Sequence, residues 1–67
     1  MEKNLQINGR KNNKVSSYLV VDSSKGWRVT SLYHGDVGRY KKREKAVKVA
    51  RDLLVAMGYT LTSEKEF

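Results

Sequence analysis

Two segments in the first half of the chain are rich in β-branched and aromatic residues. They are residues 15–22 (VSSYLVVD) and residues 27–33 (WRVTSLY), joined by the turn-forming sequence DSSKG. Both have the length of a strand, and the connection between them is short and polar. The pattern therefore predicts an antiparallel hairpin.

Both faces of this hairpin contain apolar residues. A symmetric loop sets three pairs on one face, which are Asp22 with Trp27, Val20 with Val29, and Tyr18 with Ser31. The other face then carries Leu19, Val21, Arg28 and Thr30. Trp27 and Val29 favour burial of the first face, whereas Leu19 and Val21 favour the second. The pattern alone leaves the buried face open, because a shift of one residue would exchange the two faces.

The second half of the chain predicts a short strand, a helix and a final strand. The sequence HGDVG at residues 34–38 indicates a turn, and residues 37–40 suit a short third strand. An amphipathic helix follows, for which a start near Arg43 or Glu44 is favoured. Gly58 stands where a left-handed residue commonly ends a helix, and YTLTSE after it has the composition of a strand.

The predicted helix has one broad apolar half. At about 100° per residue, eight residues fall on that half: Ala46, Val47, Val49, Ala50, Leu53, Leu54, Ala56 and Met57. Polar residues occupy the other half, with Val55 as an isolated apolar exception. We expect the apolar half to pack on the sheet, with Leu53 near its centre.

These elements predict an α+β fold in which a small antiparallel sheet of three to four strands packs on one helix, in the order ββ(β)αβ. Residues 15–67 form this single domain. Residues 1–14 are mostly polar and form either a flexible basic arm or an edge strand, in which Leu5 and Ile7 would point the same way.

Length and composition exclude several classes of protein. The chain has 67 residues, no cysteine and one histidine, so it forms one domain without disulfides or a usual structural zinc site. His34 and Asp36 near a turn do not specify a nucleophile or a second acid, and Gly35 and Gly38 lack the spacing of a phosphate loop. We predict a protein that is not an enzyme and has no cofactor. No signal-peptide or membrane-spanning pattern is present, so we expect a cytoplasmic protein.

The net charge of +7 is concentrated in two places. Residues 39–51 carry seven cations and one carboxylate, and residues 1–14 carry four cations and one carboxylate. Clustered cations are typical of proteins that bind polyanions. The candidate binding residues are Arg39, Tyr40, Lys41, Lys42, Arg43, Lys45 and Lys48, together with Arg10, Lys11 and Lys14.

The cations at the start of the helix oppose its dipole. A helix N-terminus carries partial positive charge and favours acidic or short polar residues, yet residues 39–43 contain four cations. With free backbone N–H groups they could bind phosphate. Alternatively, residues 39–43 lie in the strand or loop and Glu44 supplies the favourable charge. Tyr33 and Tyr40 are candidates for base stacking, although ordinary core packing is the favoured alternative for each, and Trp27 is better explained as a core residue.

Two resemblances extend this interpretation. Gly26-Trp27, Gly35, EKAVKVARDLL and MGYTL, within residues 18–62, resemble a group of small uncharacterised bacterial and phage domains. The stretch KKREKAVKVARDLL is similar to the last helix of double-stranded RNA-binding domains, which implies phosphate contacts for Lys41 and Lys42. The predicted order departs from that family, because the first helix is missing and a strand follows the basic helix.

The sequence thus predicts a small nucleic-acid-binding protein that contacts phosphates of DNA or RNA with little sequence specificity. The alternative is a phage-type interaction module that binds an acidic surface of a larger enzyme, with Trp27, Tyr33, Tyr40 or Val55 as anchors. Small phage early proteins resemble this chain in size and charge. An open sheet edge also predicts a possible homodimer.

Overall fold

Five strands and one helix form the part of the chain that the computed structural model describes, residues 3–31 and 35–67. In chain order they are β1 (Leu5–Lys11), β2 (Lys14–Ser23), β3 (Gly26–Ser31), β4 (Gly35–Tyr40), α1 (Arg43–Ala56) and β5 (Thr60–Glu66). The strands form one antiparallel sheet in the order β4-β3-β2-β1-β5. Tyr33 and His34 lie outside the described residues.

The prediction of three to four strands is wrong, because the sheet has five. The additional strand is β1, formed by the N-terminal segment that the composition assigned to an arm or an edge. It pairs with β2 on one side and β5 on the other, so it lies inside the sheet. The two edges are β4 and β5.

The predicted register of the β2–β3 hairpin is confirmed. Asp22 pairs with Trp27, Val20 with Val29 and Tyr18 with Ser31. The helix covers the face that contains these residues, and Tyr18, Val20 and Val29 are buried there. Leu19 and Val21 lie on the opposite face and are only partly exposed. We call these two surfaces the helix-covered face and the helix-free face.

The core lies between α1 and the centre of the sheet. It contains Leu5, Ile7, Tyr18, Val20 and Val29 from the strands, and Ala46, Val47, Ala50 and Leu54 from the helix. The two alanines let the helix approach the strands closely, as expected from the predicted apolar half. Leu53, expected near the centre of that half, is only partly buried, whereas Leu54 is fully buried.

Both ends of the helix lie where the sequence predicts them. The helix begins at Arg43 after an extended Lys42, and Gly58 adopts a positive φ of 88° after it ends. The Gly58 N–H donates to the carbonyl oxygen of Val55, and the Tyr59 N–H to that of Leu54, both at 2.9 Å. This pair of bonds is a Schellman motif, which satisfies the last carbonyls of the helix and directs the chain into β5.

Candidate functional site

The segment that joins β4 to α1 places Lys41 and Lys42 beside Trp27. Gly26 fixes this position, because its φ is 116° and a Cβ there would overlap the carbonyl oxygen of Tyr40. Only glycine allows so close an approach of the two backbones. The chain then passes Trp27 and enters the helix, leaving a surface groove of ≈ 400 Å³ lined by Trp27, Lys41, Lys42, Arg43 and Glu44.

The start of the helix lacks a side-chain cap. Lys42 occupies the N-cap position with φ −110° and ψ 138°, and its side chain makes no capping hydrogen bond. The first intrahelical bond runs from the Ala46 N–H to the Lys42 carbonyl at 3.2 Å, so the amides of the first turn have no partner within the helix. Glu44 is the acidic residue of that turn. Positive side chains therefore meet the positive end of the helix dipole.

Arg43 has a structural role rather than an exposed one. Its guanidinium carbon lies 5.8 Å from the centre of the Trp27 ring, which is a cation–π distance. Its Nε donates to the Lys3 carbonyl at 3.1 Å, and Nη2 lies 3.4 Å from Glu66 Oε2. Arg43 thus joins the helix to β3, to β5 and to the residues before β1.

Lys45 and Lys48 lie on the exposed surface of the helix, three residues apart and therefore adjacent. Together with Lys41 and Lys42 they form what we call the helix-entry lysines. Within residues 3–31 and 35–67, none of these four ammonium groups lies within ion-pair distance of a carboxylate. Their charge is left to solvent or to a partner.

Arg51, the next cation along the helix, is neutralised by β5. Its Nε and Nη2 donate to the two carboxylate oxygens of Glu64 at 2.5 and 2.6 Å. The bidentate hydrogen bonds from Arg51, followed by the Coulombic attraction of Arg51 and Arg43, lower the pKa of Glu64 despite the opposing effect of burial. This pair attaches the helix to an edge strand and adds no free charge.

The cations of the N-terminal segment lie far from the helix-entry lysines. Lys11 and Lys14 flank the β1–β2 turn, where Asn12 has a φ of 54°. Lys11 Nζ donates to the Met57 carbonyl at 3.2 Å, at the C-terminal end of the helix. Since α1 has 14 residues, its two ends are about 21 Å apart. The structure does not bring Arg10, Lys11 and Lys14 together with the helix-entry lysines.

Arg39 lies on a third surface. It pairs with Arg28 across β3 and β4, and both alternate with Trp27 and Tyr40, which pack toward the core. Arg28 and Arg39 therefore lie on the helix-free face. Arg28 is not among the residues singled out by sequence. The correct hairpin register already places it on that face, but its pairing with Arg39 depends on how β4 aligns.

Four of the five described aromatic rings pack with the core, and Phe67, which follows β5, is 54% exposed. Trp27, Tyr40 and Tyr59 pack against the core on the helix side, and Tyr18 is buried within it. Tyr40, a candidate for base stacking, thus packs against the core instead. Trp27 is a core residue at its edge, as the sequence favoured. Between residues 3 and 31 and from 35 onward, no cluster of three metal-ligating side chains occurs.

Comparison with known proteins identifies no relative of this chain. No family model matches this chain, and no curated protein or solved structure is significantly similar to it. In the described ranges, no helix has the length and apolar character required to cross a membrane. The function must therefore be inferred from the chain's own residues.

Proposed function

We propose that this protein binds nucleic acid through the phosphate backbone, with little sequence specificity. The observation that carries the proposal is the surface of four helix-entry lysines, Lys41, Lys42, Lys45 and Lys48, which have no carboxylate partner in the described chain. The positive charges of such a surface attract phosphates and release their counterions, which provides most of the affinity of non-specific binding.

The geometry reduces the set of ten candidate residues. Arg43 is engaged with Trp27 and Glu66, so its removal would damage packing. Lys11 contacts the helix C-terminus, and Arg10 and Lys14 lie near the same end of the sheet. Tyr40 packs toward the core. We therefore assign the phosphate contacts to the helix-entry lysines, in a cytoplasmic protein that has access to nucleic acid.

Lack of sequence specificity follows from the residue types. Lysine provides a flexible point charge without the planar fork that recognises a guanine edge. Among the described aromatic residues, Tyr18 is buried, Trp27, Tyr40 and Tyr59 pack against the core and Phe67 is largely exposed, which favours phosphate contacts over base stacking. Phosphate contacts position a protein on nucleic acid but carry no sequence information.

The test is a salt titration of binding to a short DNA duplex, an RNA duplex and a single strand. Lys41→Gln with Lys42→Gln should reduce the slope of log affinity against log salt by about 0.9 for each lost duplex contact. The control is Arg10→Gln with Lys14→Gln, which removes the same amount of charge near the β1–β2 turn, far from the helix-entry lysines. Equal slopes for the two double variants would mean that net charge, not this surface, governs binding.

The alternative partner is an acidic protein surface, and a second experiment tests for it. Val55 is 58% exposed on the same side of the helix and would serve as the apolar anchor for such a partner. Affinity capture from a bacterial lysate after nuclease treatment separates the two. Loss of all captured material with nuclease supports nucleic-acid binding, whereas one retained protein that Val55→Ser abolishes would replace it.

Homodimer formation through a sheet edge is a further prediction. The free edges belong to β4 and β5, and β1 is unavailable because both of its sides are paired. Light scattering over a range of concentrations measures the mass directly. A monomer at every concentration would contradict the prediction.

A further inference from the structure

We infer that Arg28 and Arg39 on the helix-free face form a site for a phosphate oxyanion. The two residues are direct cross-strand partners in β3 and β4. Like charges placed directly opposite each other repel, so the pair destabilises the free protein unless an anion lies between them. This site is on the other face of the sheet from Trp27 and does not depend on the function of the helix-entry lysines.

Only one carboxylate lies near the two guanidinium groups in the described chain. Asp36 Oδ1 is 3.7 Å from Arg28 Nε, and no carboxylate within residues 3–31 and 35–67 forms an ion pair with Arg39. One negative charge therefore faces two positive charges. The side chain of Asp36 is 60% exposed, so water weakens its attraction for Arg28.

Arg28 has an unused hydrogen-bond donor. Its Nε is buried from solvent and has no hydrogen-bond partner among the described residues, because 3.7 Å to Asp36 is too long for a hydrogen bond. A buried donor without an acceptor is unfavourable. The Nε and Nη2 groups form one edge of the guanidinium, and that edge binds two oxygens of a phosphate or carboxylate in parallel.

The backbone provides space beside the two arginines. The β3–β4 register shifts between Val29 and Thr30, which leaves Val37 as an extra residue in β4. Such bulges redirect side chains and increase the local twist of a strand. The result is a groove of ≈ 390 Å³ lined by Arg28, Asp36, Val37, Gly38 and Arg39.

These features favour phosphate over a simple halide. Two guanidinium groups offer several N–H donors in fixed planes, which match the tetrahedral set of oxygens on a phosphate. The phosphate is either inorganic or a terminal phosphate group on a larger molecule. If neither of these binds more tightly than an internal phosphodiester, the ligand is the nucleic-acid backbone and this site extends the proposed function.

The first experiment titrates the full chain with inorganic phosphate at constant ionic strength, followed by the shifts of backbone amide signals in NMR spectra. Arg39→Gln and Arg28→Lys should each weaken binding, the first by about tenfold because a charge-assisted hydrogen bond is lost. Asp36→Asn should tighten binding by removing the competing carboxylate. The control is Lys65→Gln, an equal charge change on β5, which should leave the affinity unchanged.

A second set of titrations distinguishes the sources of the phosphate. A short single strand with a 5′-terminal phosphate is compared with the same strand lacking it, and inorganic phosphate serves as the reference. Tighter binding of the phosphorylated strand that Arg39→Gln abolishes would assign a terminal phosphate. Equal, Arg39-dependent binding of both strands would assign the phosphodiester.

Two results would overturn the inference. One is an affinity for inorganic phosphate that Arg39→Gln and Arg28→Lys leave unchanged. The other is a set of amide shifts confined to the helix-entry lysines, with none in β3 and β4. Because Lys41→Gln with Lys42→Gln should not change phosphate binding at Arg28 and Arg39, failure of this site is distinguishable from failure of the proposed function.

Discussion

Lysine side chains lie at both ends of α1, but their energetic effects are opposite. At the C-terminal end, Lys11 reaches across from β1 and donates to the Met57 carbonyl. The last turn of the helix has no basic residue of its own, so Lys11 supplies the positive charge that the dipole favours. At the N-terminal end, Lys42 occupies the cap position without capping, and Lys41 lies beside it.

The difference shows that a cluster of cations in the sequence does not identify a binding site by itself. Lys11 and Lys42 have the same side chain, and both lie in segments with a net positive charge. Lys11 makes a contact that stabilises the fold, whereas the charge of Lys42 is repelled by the helix dipole. Cations that make no stabilising contact within the fold are available to a ligand. In α1 they are concentrated near its N-terminal end.

The largest expected effect tests whether one core holds both ends of the helix. Leu54→Ala should lower the free energy of unfolding by ~2 to 5 kcal/mol, because Leu54 is fully buried and truncation leaves a cavity. Val55→Ala, on the exposed side, should change it by less than about 0.5 kcal/mol. Urea unfolding measures both. Similar values for the two variants would contradict the observed orientation of the helix.

Gly26→Ala should disturb the N-terminal end selectively. The new Cβ would overlap the Tyr40 carbonyl and hold a strained positive φ, at a cost of about 1 to 3 kcal/mol. The matched control is Gly35→Ala, which also has a positive φ but no atom of residues 3–31 or 35–67 within 4 Å of the added Cβ. Thermal unfolding should show the larger loss for Gly26→Ala. Equal losses would mean that the contact with Tyr40 is unimportant.

Single neutralisations at the two ends should have opposite signs. Lys11→Gln should lower the free energy of unfolding by about 0.3 to 1 kcal/mol, and Lys42→Gln should leave it unchanged or raise it by a similar amount. Thermal unfolding at low and high salt measures both, and salt should reduce the difference. A loss of stability with Lys42→Gln would show that this lysine supports the fold.

The smallest effect concerns the Arg51–Glu64 pair, which holds the middle of the helix on β5. Because the folded pKa of Glu64 is below its ordinary value of 4.5, the pair stabilises the fold above that pH and is lost as pH falls through the lowered pKa. The contribution should be at most about 1 kcal/mol, since the pair is partly exposed. Urea unfolding at neutral and acidic pH should show less pH dependence for Glu64→Gln.

Local patterns predicted the hairpin and the helix well. The register of β2 and β3 followed from a symmetric turn between two β-rich segments, and the start of the helix followed from its apolar period. The choice of buried face required the helix, because Leu19 and Val21 competed with Val20 and Val29 at equal apolar character. The sequence predicted Leu53 at the centre of the buried side of the helix, whereas Leu54 is there. The predicted direction of the buried side was therefore wrong by about one residue.

β1 was predicted only as an alternative to a flexible arm, and as an edge strand, because its sequence contains the turn-like pair Asn8-Gly9. Leu5, Ile7 and Gly9 nevertheless alternate with polar residues, which is the period of a strand. A glycine avoids a tight contact at the inward position, since a Cβ at residue 9 would lie 3.1 Å from the Tyr59 Cβ. That contact joins residues distant in sequence, so it could not be inferred from the segment alone.

The candidate site was predicted in part. Arg43 was a candidate phosphate contact by its charge, but its guanidinium carbon lies 5.8 Å from the centre of the Trp27 ring. The separation of Lys11 from the helix-entry lysines depends on a hydrogen bond between residues 46 positions apart. The pairing of Arg28 with Arg39 depends on a bulge in β4. Neither long-range feature has a local signal.

The position of β1 between β2 and β5 has a consequence for the order of folding. The β1–β2 hairpin pairs neighbouring segments and can form early, whereas β1 meets β5 only across separations such as the 55 residues between Asn8 and Ser63. Pairing across so long a loop is slow relative to local pairing. Until it occurs, β1 exposes an unpaired row of backbone groups to which another chain can add. We therefore expect aggregation during refolding to increase with protein concentration and to be suppressed by a peptide with the sequence of β5.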